Sequence, residues 1–176
     1  MISRRTALLA GSAGVLAAAG GGVYLAARDK PEPPAPPSLD ANKRLLWRNW
    51  SGIEHAYPAV RSAPKTEAEV AQALKTSTAP VRAVGAGHSF TGLVPTSGTL
   101  MTLDGLAGIE RWEGDQPVVR AGMRLGALGP ALAERGRAMA NLPDINKQSL
   151  GGCLGTATHG TGANIKAIHG DVTALR

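Results

Sequence analysis

Two glycine-rich loops constrain what this chain of 176 residues can fold into. The first loop, residues 85–90, reads Gly-Ala-Gly-His-Ser-Phe and follows the apolar run 81–84. The second loop, residues 148–162, again combines Gly, Ser, Thr and His. Glycine lets backbone N–H groups approach a bound group closely, and a histidine fixed at such an edge can serve as a nucleophile or an acid–base group. The pair of loops predicts a large phosphate-bearing cofactor held from two sides.

Other glycine-loop sites do not fit the sequence. The dinucleotide-binding fingerprint requires a helix directly after its glycines, and no helix signal follows the first loop. A P-loop requires a Gly-Lys-Ser/Thr sequence, which the chain lacks. The single cysteine, Cys153, excludes an internal disulfide and argues against a cysteine-based zinc site. We therefore expect no metal site.

Charge also narrows the range of partners. The net charge is +6, but residues 1–30 hold four of the 19 basic residues and one of the 13 acidic ones. The remainder, with 15 basic against 12 acidic residues, is too mildly and too evenly charged to indicate nucleic-acid binding. A small-molecule partner is expected instead.

The order and spacing of the two loops resemble the PCMH-type FAD-binding domain of the vanillyl-alcohol-oxidase flavoprotein superfamily. Within it the chain is most similar to the sugar-1,4-lactone oxidases, which act on gulonolactone or arabinonolactone, and to alditol oxidase. The segments 46–52, 103–106 and 119–122 share in the resemblance. It implies an α+β fold in which two small α/β subdomains cradle FAD, with this chain covering the N-terminal part of the domain.

The resemblance implies an FAD-dependent oxidoreductase that oxidises a CH–OH group of a polyol or sugar lactone. Hydride would pass to flavin N5, and the electrons to oxygen or another acceptor. The family carries its substrate-binding and base residues in a later domain, so no catalytic residue is named here. Residues 169–176 read as the start of a strand, and we expect the domain to be incomplete at its C-terminal end.

Two other functions remain open on the residues alone. One is a truncated, catalytically inactive FAD-binding fragment. The other is an exported nucleotide- or wall-sugar-binding module without redox chemistry, which glycine-rich loops by themselves permit but the match over both loops disfavours.

The resemblance also assigns roles to residues in the loops. It implies a covalent bond between His88 and the 8α carbon of the flavin, whereas the residues alone equally permit a histidine that caps a turn. Backbone and hydroxyl donors to the diphosphate are expected from Gly85, Ala86, Gly87 and Ser89. Small and hydroxyl residues of the second loop would form the opposite wall: Ser149, Gly151, Gly152, Thr156, Thr158, His159 and Gly160. For His159 a structural role within its own loop is favoured, and Gly152 and Gly160 are expected to lie close to the cofactor.

The N-terminal region predicts export. Arg4 and Arg5 precede an apolar stretch, so residues 1–27 resemble a twin-arginine signal, with an ordinary signal or anchor helix as the alternative. That route carries folded proteins, which suits a flavoprotein. Residues 28–44 form a proline-rich linker, and residues 45–176 the FAD-binding domain. The protein would be periplasmic, or anchored facing the periplasm through residues 6–27.

Local patterns predict alternating strands and helices. A capping box at Thr66–Glu69 begins a helix that runs to about Lys75. Strands are expected at 81–84, 100–103, 109–112 and 118–121, the last two joined as a hairpin by Gly114-Asp115. A second helix is expected over 125–135, with Gly136 as its stop.

Overall fold

A computed structural model of the chain describes residues 35–176. The predicted twin-arginine signal, the alternative membrane segment and residues 28–34 of the expected linker lie outside the described residues. From Pro37 onward the described chain is one compact unit. The later part of the expected linker is folded, because Leu39 forms an antiparallel bridge with Leu45 and the Asp40 carboxylate accepts the backbone N–H of Arg44 at 2.8 Å.

A parallel sheet of three strands positions the first loop. Strand β1 (Trp47–Arg48) pairs antiparallel with β2 (His55–Ala56), and β3 (Val60–Ser62) begins the parallel sheet. Helix α1 (Glu67–Thr76) then leads to β4 (Val81–Val84), and β5 (Thr99–Thr102) lies between β3 and β4, parallel to both. The first loop therefore leaves the carboxyl end of β4 at the edge of this sheet.

A second group of elements supplies the hydrophobic core. Strands β6 (Ile109–Glu113) and β7 (Gln116–Val119) form a hairpin, followed by α2 (Leu125–Ala133) and α3 (Leu150–Gly155). Spacing of three and four residues aligns the apolar side chains of α2 on one face. The core consists of Met123, Leu125, Leu128, Leu132, Cys153 and Ile168. A 3-10 helix, Ile168–Asp171, closes this region.

Most of the predicted elements are present. Thr66 caps α1 by accepting the Glu69 N–H at 3.1 Å, and the Glu69 carboxylate accepts the N–H of Lys65 at 2.7 Å. The predicted hairpin is confirmed, with Gly114 at φ +59° in its turn. Strand β5 starts one residue earlier than predicted, and α2 ends at Ala133 rather than at 135. The α+β class is confirmed.

Two expectations about local structure were wrong or incomplete. The closing stretch 169–176 is not the start of a strand: it continues the 3-10 helix and then has no regular structure. The Gly170 N–H bonds back to the Ala167 carbonyl at 2.8 Å, which closes a turn that extended chain cannot make. Helix α3 is absent from the sequence-based expectations. No helix within residues 35–176 is long and apolar enough to cross a membrane.

Candidate functional site

The first loop presents backbone donors without protein acceptors. Gly87 adopts φ +70°, a conformation that side-chain-bearing residues rarely take, and residues 85–89 are half-buried. Within the described part of the chain, the backbone N–H groups of Ala86, Gly87 and His88 donate to no backbone or side-chain acceptor. Successive free N–H groups around a positive-φ residue suit a bound anion.

The turn between β1 and β2 holds the first loop on both sides of His88. The Trp50 N–H donates to the Gly87 carbonyl at 2.8 Å, and Nδ2 of Asn49 donates to the Ser89 carbonyl at 2.9 Å. Asn49 is 4% exposed, and its Oδ1 accepts the N–H of Glu54 at 3.1 Å. The backbone around His88 is thereby fixed by residues some forty positions earlier in the chain.

Two exposed aromatic side chains lie beside the imidazole in a row. The Trp50 indole stacks on the His88 ring, with centroids 5.4 Å apart and planes 24° from parallel. The Phe90 ring lies nearly perpendicular to the indole, with centroids 6.4 Å apart and planes at 89°. Trp50 is 68% exposed and Phe90 62%. Large apolar side chains this exposed, grouped around one histidine, indicate a binding surface rather than a core.

The start of the second loop is a helix N-terminus whose donors are already used. Ser149 caps α3, its Oγ accepting the Gly152 N–H at 3.4 Å. The N–H of Leu150 donates to the Met123 carbonyl and that of Gly151 to the Ala121 carbonyl, each at 2.8 Å. These N–H groups hold α3 against the preceding turn, so a diphosphate would rely on other donors.

The two loops touch through their small residues. A β-carbon on Gly85 would overlap Oγ of Ser149 and lie 3.7 Å from the Gly152 α-carbon. Gly85, Ser149 and Gly152 are therefore brought together, and Gly151 packs closely on Ala121, where an added β-carbon would lie 3.2 Å from the alanine methyl. Glycine at position 85 lets the end of β4 approach the cap of α3.

The remaining predicted residues of the second loop form hydrogen bonds with nearby protein atoms. The Thr156 hydroxyl donates to the Gly152 carbonyl at 3.0 Å and lies 3.3 Å from the Thr158 hydroxyl. His159 Nδ1 lies 2.8 Å from the Gly160 carbonyl, in agreement with a structural role inside the loop. The Gly160 N–H donates to Asn141 Oδ1 at 3.1 Å, and a β-carbon there would overlap the Leu142 carbonyl oxygen. Gly160 thus has a packing reason to be glycine.

Comparison with known proteins decides the family. The family model for the FAD binding domain matches residues 58–176. This chain belongs to that FAD binding domain family. The resemblance noted from the two loops is confirmed.

Related FAD binding domains occur in lactone-oxidising enzymes. The chain is 39% identical to an L-gulono-1,4-lactone dehydrogenase of Mycobacterium tuberculosis over 139 residues, covering 74% of this chain and 32% of that protein. It is 32% identical to a D-arabinono-1,4-lactone oxidase of Kluyveromyces lactis over 131 residues, covering 69% of this chain and 25% of that protein. The chain thus spans a third or less of the length of these relatives.

Solved structures share the fold. A cholesterol oxidase from Brevibacterium sterolicum matches with a TM-score of 0.51 and 24% identity, over 74% of this chain and 27% of its own. A solvent-stable cholesterol oxidase matches with a TM-score of 0.53 and 25% identity, over 67% of this chain and 24% of its own. These similarities show that the fold is shared with them.

The residues at the FAD binding domain's two loops fit the cofactor. Besides the free N–H groups of the first loop, Oε1 of Gln148 is buried and has no partner among residues 35–176. A buried carbonyl oxygen without a donor is costly unless a bound group supplies one. Gln148 directly precedes the Ser149 cap, which touches Gly85. This orphaned oxygen and the first loop's donors mark where a large polar cofactor would complete the hydrogen bonding.

Sequence reasoning missed Asn49, Trp50 and Gln148. All three stand in segments that the resemblance included, but no residue pattern signals that an asparagine will bridge to a loop forty residues away. Cys153, by contrast, behaves as expected of a packing residue: it is fully buried, and burial raises the pKa of its thiol. Among the described residues no group of three acidic, histidine or cysteine side chains is placed to hold a metal ion.

Proposed function

We propose that the chain is the FAD-binding part of an oxidoreductase that oxidises a CH–OH group of a sugar lactone, with alditols as the alternative substrates. The observation that carries the proposal is the first loop, where free N–H groups flank a histidine at the edge of a parallel sheet. The names of the relatives, a lactone dehydrogenase and a lactone oxidase, support the substrate class. Bound flavin would accept a hydride at N5 and pass the electrons to oxygen or another acceptor.

The two loops have different tasks in this proposal. The N–H groups of Ala86, Gly87 and His88 would bind the diphosphate, with the Ser89 hydroxyl as a further donor. In the second loop, backbone N–H groups are largely occupied, so its contribution would come from Gly152, which permits close approach. The hydroxyls of the exposed Thr156 and the half-buried Thr158 would exchange their present bonds for bonds to the cofactor.

His88 would be the covalent attachment point. Joining an imidazole nitrogen to the 8α carbon replaces one methyl C–H bond and the imidazole N–H bond with a C–N bond. The two protons and two electrons released would be taken up by the flavin ring system, and dioxygen would remove them as hydrogen peroxide. His88 suits this step because neither ring nitrogen has a hydrogen-bond partner among residues 35–176.

Covalent flavin is tested by denaturing the FAD-loaded protein in acid and viewing the gel under ultraviolet light. We expect a fluorescent protein band that His88→Ala abolishes, because the substitution removes the imidazole that would form the bond. His159→Ala is the matched control and should keep the band, since that ring bonds within its own loop. A fluorescent band that survives His88→Ala contradicts the assignment.

Substrate class is tested on the protein produced from its complete reading frame. Anaerobic addition of L-gulono-1,4-lactone or D-arabinono-1,4-lactone should bleach the oxidised flavin spectrum, and alditols should bleach it more slowly. Bleaching by alditols alone would select the alternative. A flavin that binds but is bleached by neither class would favour the inactive FAD-binding fragment.

We also propose export by the twin-arginine route, with the protein in the periplasm or tethered there through residues 6–27. The support is the Arg4-Arg5 pair ahead of an apolar stretch, and a domain that would take up its FAD in the cytoplasm before export. Changing both arginines to lysine should hold flavin-loaded protein in the cytoplasm. Unchanged export of that double variant would overturn the proposal.

A further inference from the structure

We infer that Trp50 is a positioning residue for His88, holding the imidazole in the plane from which it meets the flavin. This inference rests on the proposed covalent role of His88. It concerns how this chain prepares the ring before any cofactor arrives, and three observations on the apoprotein support it.

The first observation is that the backbone and side chain of Trp50 act on the same target. Its N–H donates to the Gly87 carbonyl at 2.8 Å, one residue before His88, and its indole stacks on the His88 ring at 5.4 Å. The backbone hydrogen bond restrains the main chain next to His88, and the stacking restrains the orientation of the His88 ring. One residue thereby restricts both the main-chain and the side-chain freedom of His88.

The second observation is the kind of contact. An imidazole held by a hydrogen bond would have one of its ring nitrogens occupied, as His159 does with the Gly160 carbonyl at 2.8 Å. The indole instead stacks on the face of the His88 ring, with planes 24° from parallel, and neither ring nitrogen has a hydrogen-bond partner among residues 35–176. Stacking is a way to orient a nucleophile without using its lone pair.

The third observation is exposure. Trp50 is 68% exposed, so its indole contributes little to the hydrophobic core, and that core lies around α2 and α3. The aromatic neighbours of the indole among residues 35–176 are His88 and Phe90, and the Phe90 ring lies 6.4 Å away and nearly perpendicular to it. Exposing an indole to water is unfavourable, and the Trp50 indole lies outside the hydrophobic core. Its position beside the imidazole therefore points to a role there.

The experiment compares Trp50→Ala with Trp50→Phe, which retains an aromatic face. Ile53→Ala is the matched control, because Ile53 lies in the same turn and is also 68% exposed. The apoproteins are incubated with FAD, and both total bound flavin and covalently retained flavin are followed over time. Trp50→Ala should bind flavin but attach it about tenfold more slowly, whereas Trp50→Phe and Ile53→Ala should stay within about threefold of the parent chain.

A second readout needs no flavin. In proton NMR of the apoprotein, the carbon-bound ring protons of His88, assigned from His88→Ala, should lie upfield because they face the indole. Trp50→Ala should move them downfield, and Ile53→Ala should not. A parent chain that binds FAD only non-covalently would overturn the proposed linkage while leaving this measurement to decide the positioning. Unshifted His88 signals in Trp50→Ala, or attachment at the parent rate, would overturn the positioning role itself.

Discussion

The two glycine-rich loops look alike in sequence and are built differently. In the first loop, the N–H groups of three successive residues have no acceptor among residues 35–176, and the aromatic side chains beside it are exposed. In the second, the donors at the start of α3 are bonded to Ala121, Met123 and Ser149, and Gly160 packs on Asn141 and Leu142. The first loop has donors that a ligand could use, whereas most donors of the second loop are bonded within the protein.

The comparison shows that glycine in a cofactor-binding motif can have either of two physical causes. Gly87 is required by its positive φ, in a loop whose donors are free. Gly85 and Gly160 are required because a β-carbon would collide with protein atoms. Substitutions at Gly85 and Gly160 should lower the stability of the fold, and any loss of flavin should follow from that loss of stability.

The largest expected effect is that of Gly160→Ala. The added β-carbon meets the Leu142 backbone carbonyl and the Asn141 side-chain oxygen, and that oxygen also accepts the Gly160 N–H. We expect the free energy of unfolding to fall by about 3 kcal/mol, measured by urea denaturation. Gly155→Ala is the control, since nothing lies within 4 Å of its β-carbon position, and it should lose no stability. A stable Gly160→Ala protein with little FAD would instead place Gly160 at the cofactor.

A smaller effect is expected where the loops touch. Gly85→Ala should destabilise the protein by about 1–2 kcal/mol, because its β-carbon overlaps Oγ of Ser149. Ser149→Ala alone should cost about 1 kcal/mol through loss of the α3 cap. The double variant should be more stable than the sum of the two costs predicts, since the oxygen that the new methyl group would strike is gone. Strict additivity would mean that the loops are not in contact.

The smallest effect concerns Cys153 on α3. Its thiol is fully buried, and burial raises its pKa, so the folded state disfavours the thiolate. Native protein should therefore resist alkylating reagents near the ordinary thiol pKa of about 8.5, while unfolded protein reacts. Stability should be unaffected below that pH and decrease as pH rises from it towards the higher pKa of the folded state, because only the unfolded chain then loses the proton. Rapid alkylation of native protein would show that α3 is not firmly packed, which would contradict the view that the second loop is held by internal contacts.

The sequence predicted those parts of the fold that depend on local signals. Neighbouring residues determine the capping box of α1, the turn at Gly114 and the apolar face of α2. The sequence predicts each of them to within two residues of its observed limits. Helix α3 was missed because Leu-Gly-Gly-Cys-Leu-Gly has poor helix propensity. It forms through the Ser149 cap and through N–H bonds to carbonyls nearly thirty residues earlier, which no local pattern records.

The site was predictable to a similar degree. Both loops and the candidate residues in them came from glycine spacing and from the family resemblance, and the structure brings Gly85, Ser149 and Gly152 together. The contributions of Asn49 and Trp50 could not be foreseen, because they depend on a turn between two-residue strands that itself carries only a weak pattern. Which loop is open and which is internally bonded is likewise a property of tertiary contacts.

The arrangement of the parallel sheet has a consequence for solubility. With β5 in the middle, β3 and β4 each have one edge that pairs with no other strand among residues 35–176, and such edges can recruit strands from other molecules. Both edges carry an exposed arginine at the same level, Arg61 and Arg82 each pairing in register with Leu100. Two copies of this sheet approaching edge to edge would bring like charges together, which disfavours that mode of pairing.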